Sequence, residues 1–296
     1  MEESQFGRLT FIRGKRGGKY PFCNSLFIDD REKVIIDPGS GKELLKKLEM
    51  EKGIDCIVNS HYHEDHTAFN YLFPEAKLYV PRDEVPCFTS LEQLLDFSGL
   101  LGTDLEHKWR DIFLNNFNYT ERTPDREFSD GDLLNFGDTT LQVIHTPGHT
   151  IGHSSFFFPD EKVLFMGDLD LTAFGPWYGD RVSDIDQTIA SLHTLLTIPA
   201  RIFITSHEVG IIEGDITKAV EDYIAIIDKR ENTLLNFLEK PRTMSEIVNQ
   251  WIIYKKPGDP REYFEAGERG MITKHLDRLT KTGGITVKED GRYVSA

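Results

Sequence analysis

The stretch SHYHEDH, residues 60–66, gathers three of the chain's ten histidines and an aspartate within six residues. It follows directly on the apolar run IDCIVNS, residues 54–60, which reads as a buried strand. The cluster therefore sits in the loop at a strand's end. On extended backbone His61, His63 and Asp65 share one face, because side chains alternate with a period of two. In a tight turn, or in the first turn of a helix, Asp65 and His66 face a second position. Imidazole and carboxylate are the donors that borderline divalent metals take. One short segment can thus serve two neighbouring metal positions.

Outward from this cluster, four more strand-like runs end in a candidate ligand or orienting residue. They are VIIDPGSG (34–41) with Asp37, HTPGHTIGHS (145–154) with His149, VLFMGDLD (163–170) with Asp168, and RIFITSHE (201–208) with His207. These five motifs, in this order, resemble those of the metallo-β-lactamase superfamily, and the likeness spans about residues 8–212. The resemblance implies an α/β fold, an αββα sandwich with its metals at one edge. It implies two divalent ions, zinc by first expectation, with iron or manganese as alternatives. One ion falls to His61, His63 and His149, the other to Asp65, His66 and His207, with Asp168 and a water or hydroxide between them. Asp65 becomes the proton-handling catalytic residue, while Asp37 and His153 support the ligands from behind. Redox di-iron relatives usually carry glutamate at position 63, where this chain carries His63.

The loop LTAFGPWYGDR, 171–181, follows Asp168, so Phe174, Trp177 and Tyr178 are candidates for substrate contact. The basic turn RGKRGGK, 13–19, reads as a solvated hairpin tip, with a cluster of Arg13, Lys15, Arg16 and Lys19 holding an anionic substrate as the alternative. Residues 83–127 are rich in Phe, Leu and Trp at helical spacing, an inserted helical segment that is either a lid or a packed helical pair. The catalytic domain is expected over residues 1–238. Beyond it, Thr243 and Glu246 form a capping-box pattern, MITKHLDRLTKTGG an amphipathic helix, and Asp290-Gly291 a hairpin turn. Helix, helix and hairpin outline a small winged-helix-like domain over residues 239–296.

Charge bears on partners. The net charge is −15. From Lys240 onward eleven basic residues face eight acidic ones, which leaves −18 on residues 1–239. Such a body repels polyanions, so nucleic acid is disfavoured as a partner, although Lys274, Arg278 and Lys281 share a helical spacing that suits phosphates. Three cysteines make no disulfide framework. There is no membrane-length apolar run and no secretory leader pattern, so a cytoplasmic protein is expected. A homodimer is compatible with the tail hairpin and the aromatic insertion.

The leading expectation is a dinuclear hydrolase in which a bridging hydroxide attacks the carbonyl of a small ester, thioester or lactone. The HTPGHTIGHS stretch is similar to the glyoxalase II and lactonase side of the superfamily, whereas the tail is unlike a glutathione-binding helical domain. One alternative is a phosphodiesterase or endoribonuclease acting on single strands. Another is a metal-core sensor with a nucleic-acid-binding tail.

Overall fold

The computed structural model describes residues 3–296. Strands Glu3–Phe6, Leu9–Ile12, Ser25–Asp29, Lys33–Ile36, Cys56–Val58, Lys77–Pro81 and Arg126–Phe128 (β1–β7) form one sheet in chain order. It is antiparallel as far as β4 and parallel from β4 to β7. Strands Leu133–Asn135, Thr140–His145, Ser154–Phe158, Val163–Phe165, Ile202–Ile204 and Ile211–Glu213 (β8–β13) form the second sheet, with β11 and β12 parallel.

Strand alternation makes the layers. In β3 and β4, Leu26, Ile28, Val34 and Ile36 face the second sheet, where Phe156, Phe158 and Phe165 meet them. The intervening Phe27 and Ile35 face outward and are covered by helices Lys42–Lys52 (α1), Val85–Thr89 (α3), Leu91–Phe97 (α4) and Glu106–Asp111 (α5). The short helix Glu64–Thr67 (α2) carries the end of the histidine cluster. On the far side, Phe157 and Leu164 are covered by Leu192 and Leu195 of Ile185–Leu195 (α6) and Val220 and Tyr223 of Thr217–Phe237 (α7). Asp184 caps α6, its side chain accepting from the Gln187 amide. No helix among the described residues is long and apolar enough to cross a membrane.

The C-terminal part comprises Met244–Val248 (α8), Arg261–Thr282 (α9) and the hairpin Ile285–Val287 with Tyr293–Ser295 (β14 and β15). Thr243 and Glu246 close the expected capping box, and α9 ends at Gly283 in the left-handed conformation. This unit is not held at arm's length. Met271, Ile272 and Leu276 of α9 share a core with Ile227 and Leu234 of α7. At Gly270 a Cβ would lie 2.1 Å from the Gly179 carbonyl oxygen, so the α9 backbone abuts the loop after Asp168.

Candidate metal centre

The edge where β4, β5, β9, β11 and β12 end collects the polar residues. Asp37 leaves β4 in the left-handed region (φ 48°), a strained conformation that turns its carboxylate under the histidine cluster. There Oδ1 accepts from the Ser60 amide at 2.7 Å and Oδ2 from the Ser60 hydroxyl at 2.5 Å. At Gly39 a Cβ would fall 1.9 Å from the Asp65 carbonyl oxygen, so only glycine lets the two loops meet.

Each of the five histidines named from the sequence as a ligand has one ring nitrogen anchored away from the centre. His66 Nδ1 lies 2.9 Å from Asp37 Oδ2, and His63 Nε2 lies 2.7 Å from Asp180 Oδ2. His149 Nδ1 is 2.9 Å from the Trp177 carbonyl oxygen, and His207 Nδ1 is 2.7 Å from that of Gly18. These partners only accept, so the anchored nitrogens carry the proton and donate. The Ser60 hydroxyl spends its proton on Asp37, so at 2.9 Å it accepts from His61 Nδ1. In the neutral ring the opposite nitrogen is then an aimed lone pair.

The freed nitrogens converge on two carboxylates. His63 Nδ1 and His149 Nε2 are 2.9 Å apart. Asp168 Oδ2 lies 3.3 Å from His149 Nε2, 3.3 Å from His207 Nε2 and 3.8 Å from His61 Nε2, while Oδ1 lies 2.9 Å from His66 Nε2. Asp65 Oδ2 is 3.4 Å from His207 Nε2. Ligand atoms of His61, His63, His149 and Asp168 fall within 4.8 Å of one another, as do those of Asp65, His66 and His207. His61 Nε2, His66 Nε2, Asp65 Oδ2 and Asp168 Oδ1 are buried without any hydrogen-bond partner. Four orphaned polar atoms in one pocket would each cost ~1–3 kcal/mol. A donor set of imidazole and carboxylate aimed inward fits divalent cations, which satisfy all four at once.

Around this centre, burial pushes the His153 imidazole down to about 3. Its Nε2 accepts from the Asp168 amide at 3.0 Å, so neutral His153 braces the loop that carries Asp168. Burial raises the Asp168 carboxyl, but His66, His207 and His61 outweigh it and hold the group well below the usual carboxylate range.

One expectation needs correction, and two gain detail. Tyr178 does not reach the site: it is fully buried, and its hydroxyl sits between Arg230 Nη1 (2.9 Å) and His275 Nε2 (2.8 Å). The basic turn at 13–19 joins the antiparallel strands β2 and β3 with Lys15, Arg16 and Lys19 exposed, as expected of a solvated hairpin loop, but its end also reaches the centre, where Gly18 anchors His207 and Lys19 and Tyr20 line the cavity. Of the three α9 residues singled out by their spacing, Lys274 donates to the Arg181 carbonyl at 2.6 Å and Arg278 pairs with Asp186 and Glu231 at 2.7 and 2.6 Å. Two of the three are thereby turned inward on the protein's own groups. Phe174 and Trp177 do line the cavity. The sequence reading misses Asp180, which no strand end flags, and Asp170, which groups with Asp168 and His207 and whose Oδ1 accepts from the His207 amide at 2.8 Å.

The model of the metallo-beta-lactamase superfamily matches residues 19–207, more than half of the chain. The chain belongs to that superfamily. It is 29% identical over 173 residues to a hydroxyacylglutathione hydrolase of Aeromonas hydrophila, covering 56% of this chain and 52% of that protein. It is 29% identical over 170 residues to one from Rhodospirillum rubrum, covering 57% and 54%. The chain thus spans about half the length of the curated relatives it matches. Among solved structures, a metallo-beta-lactamase family protein from Thermus thermophilus superposes with a TM-score of 0.74 at 21% identity, over 98% of this chain and 99% of that one. A beta-lactamase domain protein from Burkholderia ambifaria gives 0.72 at 19% identity, over 99% and 93%. At these identities both show the shared fold, including the C-terminal part.

Proposed function

We propose that the protein is a metal-dependent hydrolase in which water adds to the carbonyl carbon of an ester, thioester or lactone and the acyl C–O or C–S bond breaks, releasing the acid and the alcohol or thiol. The observation that carries this is the set of five back-anchored imidazoles converging on Asp65 and Asp168, with four buried atoms lacking any partner. The residues would divide into His61, His63 and His149 at one position and Asp65, His66 and His207 at the other, with the two oxygens of Asp168 addressing both groups. Two divalent ions there, zinc foremost, supply Lewis acidity and a water whose pKa is lowered toward neutrality. The remaining work falls to the chain. Asp37 and Asp180 fix ring orientation and raise ligand basicity. Asp65, buried with Oδ2 unpartnered, is placed to take a proton from the attacking water and pass it to the leaving group. Trp177 and the aromatic residues beside it exclude bulk water from the carbonyl.

The thioester side of this reading is favoured by the hydroxyacylglutathione hydrolase relatives, whose name describes cleavage of an acylated glutathione. The order of α8, α9 and the terminal hairpin supports a winged-helix-like reading of residues 239–296. Its packing against α7 and the loop 171–181 suits a part of the active-site wall better than a separate nucleic-acid module.

The test is a hydrolysis panel on the purified protein, with a thioester, a lactone, a phosphodiester and single-stranded RNA, alongside metal analysis. The expected result is two divalent ions per chain, turnover of the carbonyl substrates, and loss of both in Asp168→Ala. A chain without metal, or one that cleaves only the phosphodiester or RNA, overturns the proposal.

A further inference from the structure

Above the metal centre lies a cavity of about 500 Å³, within the size range of small-molecule sites. Its aromatic wall comes from three segments far apart in sequence: the insertion, the loop after Asp168 and residues 254–264 leading into α9. One aromatic chain joins them. Trp109 of α5 stacks on Tyr263 of α9, with ring centroids 4.8 Å apart and planes 27° apart. Tyr263 meets Phe264 at 5.5 Å, Phe264 meets Tyr254 at 5.3 Å, and Tyr254 meets Phe174 at 5.5 Å. The chain then reaches the metal centre. Trp177 Nε1 donates to the Tyr254 hydroxyl at 3.1 Å, and the Trp177 ring lies 5.3 Å from His63 and 5.6 Å from His149.

The polar handles of this wall are already in use. The Trp177 indole is spent on Tyr254, and the Tyr20 hydroxyl donates to Glu64 Oε1 at 2.7 Å. Among the described residues lining the cavity, the one lysine, Lys19, has its ammonium 3.6 Å from Glu208. Glu64, Asp170 and Asp180 are the further carboxyl groups around the floor. The vestibule therefore offers ring faces and, among the described residues, no free cation. A carboxylate or phosphate on the far end of an acyl group, held among the rings and away from the metal positions, would lose hydration with only the exposed, already paired Lys19 to offset it.

We infer that this vestibule selects an uncharged, ring-bearing acyl group, with Phe174 and Phe264 as specificity residues that clamp it while its carbonyl lies at the metal centre. The inference rests on the hydrolase reading above for the reaction, but the preference itself is a binding property. Aromatic stacking of this kind contributes about 0.5–1.5 kcal/mol per pair beyond area burial. Together with burial of a bicyclic ring, this corresponds to more than a tenfold gain in affinity over a methyl group.

The test is calorimetric binding of non-hydrolysable amides to the zinc-loaded protein, with N-methyl-2-naphthamide, its sulfonated analogue and N-methylacetamide as probes. The neutral naphthamide is expected to bind at least about 20-fold more tightly than N-methylacetamide and about 10-fold more tightly than the sulfonated form. Phe264→Ala and Phe174→Ala each weaken it about 5-fold. Leu133→Ala, on the exposed strand β8, leaves it unchanged. Thermal unfolding of each variant separates loss of the wall from loss of the fold, and Phe174, 38% exposed, is the substitution the fold tolerates best. Equal binding of naphthamide and acetamide, or unaltered binding in both folded variants, overturns the inference. If naphthoyl thioesters are not hydrolysed while the binding differences hold, the vestibule stands and the proposed reaction falls. If thioesters are hydrolysed at rates indifferent to the acyl group, the reaction stands and the vestibule falls.

Discussion

Replacing Asp180 by asparagine separates the two halves of the proposed centre. The Asp180 carboxylate is 5% exposed and accepts from His63 Nε2 at 2.7 Å and from the Tyr62 hydroxyl. Asparagine keeps the shape but removes the charge, and because both donors bond the same oxygen, Oδ2, they are left with the weaker acceptor of a neutral amide. Loss of such an orienting partner lowers metal affinity about 10–100-fold, or ~1.4–2.7 kcal/mol. Because Asp180 holds His63 and touches none of Asp65, His66 or His207, the loss should fall on the position served by His61, His63 and His149. Asp37→Asn is the mirror experiment, since its Oδ2 holds His66 Nδ1 at 2.9 Å. Chelator competition against zinc, fitted for two sites per chain, reads both affinities. The expected pattern is reciprocal, each variant weakening one site by about tenfold or more and the other by less than about threefold. If each variant lowers both affinities alike, or neither, the division of ligands argued from the anchored nitrogens is wrong.

Three further outcomes follow from buried groups around the centre. Glu84 is fully buried, and burial pushes its carboxyl up to about 7 from 4.5, although Thr150 and the Gly152 amide bond to Oε1. The folded state thus keeps a proton that the unfolded chain has lost between those pH values, so stability falls as pH rises through that window by up to ~3 kcal/mol. Glu84→Gln removes this slope, and urea unfolding at pH 5 and pH 8 should show the variant's advantage growing by ~2–3 kcal/mol; a constant difference refutes it. Gly39→Ala should displace the Asp65 backbone, which a Cβ would approach to 1.9 Å, and leave less than two equivalents of zinc bound by mass spectrometry under native conditions. Retention of both ions at unchanged affinity contradicts the close approach. Arg230, 2% exposed, donates to the Phe174 and Pro176 carbonyls at 2.7 Å each and to Tyr178. Arg230→Met strands those acceptors, and denaturant unfolding should show a loss of ~2–4 kcal/mol, with faster proteolytic nicking in 171–181. A change below ~1 kcal/mol refutes it.

The fold is legible where the signal is local. The unbroken apolar runs LFI in β3 and VII in β4 mark strands with two covered faces, and the structure fills those faces with the opposite sheet and with α1, α3, α4 and α5. Asp184 before α6 and the Thr243–Glu246 pair before α8 are readable because a cap is a local interaction over three residues. The basic turn is legible only in part, for the complementary reason. RGKRGGK has the composition of an exposed tip, but what decides its course is the Asn24 side chain, which accepts from the Gly14 amide at 2.9 Å and donates to the Thr205 carbonyl at 3.0 Å. That second contact spans 181 residues, and no local pattern carries it.

The same distinction divides the site. The histidines are visible because metal chemistry restricts residue type and because strand ends on one sheet edge bring them together. Their anchors are less so: Asp37 ends a strand and stands out, but Asp180 lies in an irregular loop where an aspartate is common. Tyr178 misleads by its proximity in sequence. Its neighbour Trp177 turns toward the histidines, but Tyr178, one residue on, points the other way into Arg230 and His275. Phe174 and Trp177 are visible from their place after Asp168, whereas the C-terminal half of the aromatic wall escapes, since Tyr254, Tyr263 and Phe264 belong to the part that reads as a separate tail. Their role exists only because α9 lies flat on the loop 171–181, a contact that Gly179 and Gly270 make possible at the level of the backbone. A ligand set can be read from residue identity, whereas a specificity surface assembled from three distant segments requires the packing itself.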